Sequence, residues 1–209
     1  MTIVAEPTTA PAPVAEPLAP AVPVQVPRTH HRFTAAEYQR LGEVGIIGEE
    51  DRVELIDGEI LDMGDIGHRH AAQVNRLNRV LVQNSEETMG VSVQNPLQLG
   101  ERYQPQPDLM LLRARADDYA SALPTAADVL LLIEVADSSL DYDQRIKLAV
   151  YARAGVTEVW IVNLDADQVE IYTQPQEAAY TTTRVARRGE TVQIGALPAV
   201  MLPVTTILL

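Results

Sequence analysis

The stretch that decides the fold is VLLLIEVADSSLDYDQRIKLAVYARAGVTEVWIVNL, residues 129–164. Its first eight residues are almost all apolar, which predicts a strand buried on both faces in the middle of a sheet. Residues 142–154 predict a helix, and Gly155 stands where a left-handed C-terminal cap is needed. The closing EVWIVNL predicts a second buried strand. The stretch therefore indicates an α/β domain.

The segments before this stretch supply helices and a hairpin. Thr34 and Glu37 have the spacing of a capping box, which predicts a helix over TAAEYQRLGEVG. Asp57-Gly58 separates RVELID from EILDM, as in a tight β-hairpin turn. From His70 onward, apolar residues recur at helical spacing over about four turns.

Further strands complete the sheet. The predicted fold class is α/β, with a central mixed β-sheet flanked by helices. The remaining strand predictions are VSVQNPLQL (91–99), PDLMLLRA (107–114), VEIYTQ (169–174) and the weaker TVQIG (191–195) and VTTILL (204–209).

Composition divides the 209 residues into two regions. Residues 1–27 are rich in Pro and Ala and predict a disordered tail, whereas residues 28–209 predict one domain. The chain has no cysteine, no apolar run long enough to cross a bilayer and no signal-peptide pattern, so we expect a soluble, cytoplasmic protein without a membrane partner.

The charge balance and the missing motifs restrict the function. A net charge of -13 repels a phosphate backbone and counts against a nuclease, although a carboxylate site that needs a divalent metal is itself acidic until it is loaded. The chain lacks a phosphate-binding loop, a dinucleotide-type glycine pattern and a Gly-x-Ser-x-Gly elbow. P-loop nucleotide hydrolysis and serine-hydrolase chemistry are therefore not expected.

Two acids belong to predicted strands. Asp108 opens PDLMLL, and Glu134 lies within LLLIEVA between apolar neighbours. A carboxylate in a central strand needs a partner, because burying an unpaired charge costs several kcal/mol. If the two strands are neighbours, both carboxylates can share one divalent cation, for which oxygen ligands favour Mg²⁺ or Mn²⁺.

Three further positions each have two interpretations. Lys147 and Asp143 are four residues apart on the predicted helix, so they form either a solvent-exposed ion pair or part of a site at the end of the Glu134 strand. His70 is either a packed core or capping residue or a contact at the rim of a pocket. Glu54 is either an exposed strand residue or an additional acid near the site.

Five separated blocks occur in an order that is typical of one family. The blocks VELIDGEILDM, GHRHAAQVNRL, QPDLMLL, the LLIEVADSSLDYDQRIKLAVYARAGVT segment and EVWIVN resemble the Uma-two family of restriction endonucleases. This family is a branch of the PD-(D/E)XK nuclease superfamily, and the resemblance covers about residues 31–209. It implies a restriction-endonuclease-like fold.

The resemblance also implies roles for single residues. Asp108 and Glu134 take the positions of the metal-binding acids, and Lys147 takes the lysine role. Ala136 stands where the superfamily pattern has lysine, so the lysine has moved into the following helix. His70, Glu54 and Asp143 match positions that usually hold those residue types in the family, which favours a function for them without assigning one. Asp137-Ser138-Ser139-Leu140 departs from the Ser-Pro-Ser-Thr stretch of the family.

These observations favour a Mg²⁺- or Mn²⁺-dependent endonuclease that hydrolyses DNA. The net charge, the displaced lysine and the departure after Glu134 favour an alternative, a nuclease fold that binds partners without catalysis. A third interpretation is a structural protein in which Glu134 bonds Lys147 without any cation. Similarity to the family further suggests a homodimer.

Overall fold

A computed structural model describes residues 30–48 and 50–209. The predicted tail over residues 1–27 and the predicted domain boundary at residue 28 lie outside the described residues. Residues 31–209 form one compact unit. In the part of the chain that is described, no helix is long and apolar enough to cross a lipid bilayer.

The centre of the structure is a six-stranded mixed sheet. Its strand order is β3-β4-β5-β6-β7-β8, and every neighbouring pair is antiparallel except β5 and β6. Two hairpins, β1-β2 and β9-β10, lie outside this sheet. The strands are β1 Val53–Ile56, β2 Glu59–Asp62, β3 Met89–Val93, β4 Leu109–Arg113, β5 Val129–Ala136, β6 Glu158–Asn163, β7 Gln168–Gln176, β8 Ala179–Arg187, β9 Thr191–Ile194 and β10 Leu197–Pro203.

Helices pack on both faces of the sheet. The longest, α2, covers one face together with the C-terminal hairpin, while the segment over residues 140–154 covers the other. The helices are α1 Ala35–Glu43, α2 His68–Asn84, a 3₁₀ turn Ala126–Asp128, α3 Leu140–Tyr142, α4 Leu148–Ala154 and α5 Val204–Ile207, with a π-helical turn at Asp143–Lys147 between α3 and α4.

The helix caps and the hairpin turn that the sequence predicts are confirmed. Thr34 caps α1, and its capping box with Glu37 is complete. Asp57 and Gly58 have φ values of 50° and 73°, as the tight turn between β1 and β2 requires. Gly155 ends α4 with a φ of 83°. The predicted fold class, a mixed sheet flanked by helices, is confirmed.

Two strand predictions are corrected. The strand predicted over residues 91–99 ends at Val93, because Gln94 has a φ of 50° and Pro96 cannot donate a ladder hydrogen bond. The strand predicted over residues 204–209 is wrong: Pro203 ends β10, and Val204 and Ile207 are buried at helical spacing in α5.

Strand β8 was not predicted from the sequence. The strand lies at the edge of the sheet, and most of its residues, AYTTTRVAR, are exposed. Such a strand has no continuous apolar face to mark it in the sequence, and hydrogen bonds to β7 hold it in place.

Gly58 leads to a prediction about the β1-β2 hairpin. A Cβ atom on Gly58 would lie 2.8 Å from the Arg32 Cβ and 2.9 Å from the Phe33 carbonyl oxygen. We expect Gly58→Ala to lower the free energy of unfolding by about 1–3 kcal/mol, because the side chain adds both a positive-φ strain and a clash. Urea denaturation measures this loss. The matched control is Gly90→Ala, since nothing lies within 4 Å of a Cβ there; an equal loss in both variants would contradict the explanation.

Candidate active site

Asp108 and Glu134 come together because β4 and β5 are antiparallel neighbours. Leu109 pairs with Ile133, which places Asp108 beside the following residues of β5. The Val135 amide donates to Asp108 Oδ2 at 2.8 Å, and the Asp108 amide lies 3.4 Å from Glu134 Oε2. The two predicted strands are therefore neighbours, with Asp108 directly before β4 and Glu134 within β5.

Lys147 lies between two buried glutamates. Its Nζ is 3.1 Å from Glu134 Oε1 and 3.3 Å from Glu54 Oε2, and the residue is only 4% exposed. The interpretation of Lys147 and Asp143 as a solvent-exposed ion pair is therefore wrong. The π-helical turn faces the sheet with both residues, and Asp143 is buried beside Ser139, whose hydroxyl donates to its Oδ2 at 2.6 Å.

Glu54 is not an exposed strand residue. It is 2% exposed, and Lys147 is one of three groups that donate to its carboxylate. The Tyr142 hydroxyl donates to Oε1 at 2.9 Å, and the backbone amide of Gln106 donates to Oε2 at 3.1 Å. The interpretation of Glu54 as an additional acid of the site fits this geometry, because β1 lies beside the segment that leads into β4, with Leu55 paired to Gln104.

His70 contacts Asp108 directly. Its Nε2 is 3.0 Å from Asp108 Oδ2, and this hydrogen bond raises the pKa of the imidazole against the opposing effect of burial. Its Nδ1 is buried and has no hydrogen-bond partner among the described residues. His70 therefore lies at the pocket as a neighbour of Asp108, which agrees with a rim contact and not with a purely apolar core position.

Negative charge dominates the site. Four carboxylates, from Glu54, Asp108, Glu134 and Asp143, surround the single lysine, Lys147. Burial raises the pKa of Glu134 despite the lysine, and burial likewise raises the pKa of Asp143 to about 6. Burial would lower the pKa of Lys147, but the surrounding carboxylates outweigh it and raise that pKa, so the lysine stays charged. One ammonium group cannot balance four carboxylates.

Hydrogen bonds stabilise the charged form of the buried Asp108 carboxylate. Burial would raise its pKa, but the bonds from His70 and from the Val135 amide outweigh burial and lower it. Gln94 Nε2 lies 3.3 Å from its other oxygen, Oδ1. Asp108 is thus held as an ionised group at the wall of the cavity.

A π-helical turn at Asp143–Lys147 interrupts the helix that the sequence predicts over residues 142–154, and residues 148–154 are α-helical as predicted. The Leu148 amide donates to the Asp143 carbonyl, five residues back, and a regular α-helix resumes only after Lys147. Such turns are rare and occur frequently at functional sites. Here the turn brings Tyr142, Asp143 and Lys147 to the same cavity.

The site opens into one cavity of about 620 Å³. The β1-β2 hairpin, the loop that follows it and the segment after β5 form its walls. Three of its lining residues, Tyr142, Ser139 and Gln106, were not predicted from the sequence. Tyr142 and Lys147 are five residues apart, a spacing that places two side chains on one face of a π-helical turn but not of a regular α-helix. The charged lining residues are Arg52, Glu54, Asp62, Asp65, His70, Asp108, Glu134, Asp137, Asp143 and Lys147.

The donor groups at the cavity suit a hard divalent cation. Asp108 and Glu134 offer carboxylate oxygens, the ligand type that Mg²⁺ and Mn²⁺ prefer. No three Asp, Glu or His side chains among residues 30–48 and 50–209 form a preassembled ligand cluster. Mg²⁺ does not need one, because it keeps several waters and is commonly held by one or two carboxylates and a substrate phosphate. The residues fit such an ion.

Comparisons with known proteins address the family and the fold. No protein of curated function matches the chain. A crystal structure from Anabaena variabilis ATCC 29413, described as "a putative nuclease belonging to DUF820", is similar at 16% identity with a TM-score of 0.68, and the match covers 84% of this chain and 97% of that one. At that identity the likeness shows a shared fold. The sequence pattern of the Uma2 family, described as "Putative restriction endonuclease", matches residues 35–205. With this match across most of its length, the chain belongs to the Uma2 family.

Proposed function

We propose that the protein is a metal-dependent endonuclease that hydrolyses phosphodiester bonds of DNA in the cavity lined by Asp108, Glu134 and Lys147. The observation that supports this most strongly is the excess of buried carboxylate over cation at a cavity open to solvent. Membership of a family described as restriction endonucleases supports the same reaction class.

The excess charge distinguishes this proposal from a purely structural ion pair. Glu134 does bond Lys147 directly, as the structural interpretation requires. Among the described residues, that pair leaves Asp143 without a cationic partner and Asp108 with only the His70 imidazole, and buried carboxylates that outnumber their cations are costly. A bound divalent cation removes that cost, so the arrangement favours a site that is completed by a cation.

Asp108 and Glu134 would hold the cation, and Mg²⁺ or Mn²⁺ is the ion we propose. The ion would supply Lewis-acid stabilisation of the phosphate and activation of water. Lys147 Nζ lies 3.1 Å from Glu134, so it would donate to the scissile phosphate and offset the charge that develops there. On the other side of the ammonium group, Glu54 pairs with Lys147, and the Tyr142 hydroxyl donates to Glu54.

The overall charge predicts how DNA would bind. With a net charge of -13, the protein repels a polyanion in the absence of a cation. The positive charge near the cavity comes from Arg52, Arg69 and Lys147, and Arg69 is already paired with Asp137 and Asp165. DNA binding would therefore depend on the divalent cation more than on a basic surface.

Cleavage assays test the proposal. Purified protein would be incubated at low salt with supercoiled plasmid, linear duplex and single-stranded DNA, each with Mg²⁺, with Mn²⁺ and with a chelator. We expect cleavage with the metals and none with the chelator. Retention of DNA in a gel-shift assay without cleavage in either metal would favour the alternative, a nuclease fold that acts as a binding module.

A further inference from the structure

A further buried carboxylate lies outside the lining of the cavity. Glu170 on β7 is 5% exposed and accepts four side-chain hydrogen bonds. Burial would raise its pKa, but these bonds outweigh burial and lower it, so the carboxylate stays ionised. The donors are Asn163 Nδ2 at 3.1 Å and Gln168 Nε2 at 2.9 Å on Oε1, and Gln144 Nε2 at 2.7 Å and the Tyr172 hydroxyl at 2.7 Å on Oε2.

Glu170 and Glu134 lie on the same face of the sheet. Ile161 on β6 is the register partner of Glu134 on β5 and also of Glu170 on β7. Partners in register point to the same face, and neighbouring strands are about 4.8 Å apart, so the two glutamates stand about 10 Å apart in one row. The segment over residues 140–154 packs across this row.

The π-helical turn is held at both of these points. Lys147 contacts Glu134, and Gln144 contacts Glu170. Gln144 directly follows Asp143, so its bond fixes the start of the turn whose end carries Lys147. A π-helical turn is rare, and it needs tertiary contacts of this kind to persist against the regular α-helix.

We infer that Glu170 is a positioning residue that acts through Gln144: it holds the π-helical turn in the geometry that directs Asp143 and Lys147 into the cavity. Neither Glu170 nor Gln144 lines the cavity. The effect on catalysis rests on the proposed nuclease function, whereas the effect on the turn does not.

Two substitutions separate positioning from general stability. Gln144→Ala removes the bond between Glu170 and the turn, while Gln168→Ala removes a bond to the same carboxylate that does not reach the turn. Gln144 is exposed, so its replacement leaves the core intact. We expect Gln144→Ala to lower kcat by about 10- to 100-fold with little change in KM, because misplacing a catalytic group acts on the chemical step. Gln168→Ala is expected to retain kcat.

A readout that needs no activity is the exchange of the Leu148 amide hydrogen, whose bond to the Asp143 carbonyl defines the turn. By NMR we expect about tenfold faster exchange in Gln144→Ala and an unchanged rate in Gln168→Ala. The double variant Gln144→Glu with Glu170→Gln swaps the two side chains and restores a hydrogen bond between the two positions. Compared with Glu170→Gln alone, it should recover both kcat and the protection of the Leu148 amide from hydrogen exchange.

The outcomes are distinct. If the wild-type protein cleaves no DNA, the proposed function fails, and amide exchange still decides the positioning role. The inference is overturned if Leu148 exchanges at the wild-type rate in Gln144→Ala, or if Gln168→Ala has the same effect as Gln144→Ala.

Discussion

Glu134→Gln is expected to lower the rate of metal-dependent DNA cleavage by about 100-fold or more. Glutamine keeps the shape of the side chain and an oxygen that accepts from Lys147 and from Tyr151, whose hydroxyl lies 2.5 Å from Oε1. It removes the negative charge that would hold the cation beside Asp108. Loss of a group that stabilises the transition state at this site reduces the rate on that scale.

The same substitution is expected to leave thermal stability unchanged or higher. Glu134 is fully buried and its pKa is raised by burial, so the folded state bears a cost for its charge at pH 8. Neutral glutamine avoids that cost. Thermal denaturation at pH 8 in a chelator measures the effect. A large fall in Tm would mean that loss of activity reflects loss of fold, and the catalytic assignment of Glu134 would lack support.

Lys147→Met is expected to lower the free energy of unfolding by about 3–5 kcal/mol at pH 8. Methionine fills similar space but leaves Glu54 and Glu134 without their shared cation. Removing one partner of a buried ion pair leaves uncompensated charge, which is what makes such substitutions costly. Urea denaturation at pH 8 in a chelator measures the loss.

The loss is expected to shrink as pH falls to about 5. The pKa of Asp143 is already raised to about 6 and that of Glu134 is also raised, and removal of Lys147 raises both further. A carboxyl group with a raised folded pKa costs stability above its unfolded pKa, and the full cost appears only above its folded pKa. The difference between wild type and variant should therefore grow from pH 5 to pH 8.

Two controls identify the cause. Arg145→Met changes a cation of the same turn that pairs with Asp141 in an exposed position, and we expect a change within about 0.5 kcal/mol. The double substitution Glu134→Gln with Lys147→Met should recover part of the loss, because it removes one of the uncompensated charges. A loss that does not vary with pH would assign the effect to packing instead of charge.

The sequence was sufficient to predict two acids that the structure brings together at the candidate site. Glu134 stands in an apolar strand where solvent cannot stabilise its charge, and Asp108 opens a neighbouring strand. Hydrophobic patterning predicted both strands, and the capping box at Thr34 and the Asp57-Gly58 turn are signals contained within a few residues. Such features could be predicted because their causes are local.

The features that the sequence left open or did not predict depend on contacts between distant segments. The sequence left two interpretations of Glu54, and the structure places it at the candidate site because Lys147 and Tyr142 reach it from another element. The π-helical turn is stabilised from β7 by Glu170, and no periodicity in residues 142–154 marks it. The strand β8 and the helix α5 likewise take their form from neighbours in the sheet and core, which no short window of sequence contains.

Single-turnover cleavage of one labelled DNA tests most directly whether Glu134 supports metal-dependent cleavage. The rate would be measured for wild-type protein and for Glu134→Gln, with Arg145→Gln as a folded control and with Mg²⁺ or a chelator in each reaction. We expect Mg²⁺-dependent cleavage by wild type and by Arg145→Gln, and a rate at least about 100-fold lower for folded Glu134→Gln. Cleavage of equal rate in all three proteins, or cleavage that persists in the chelator, would contradict this expectation.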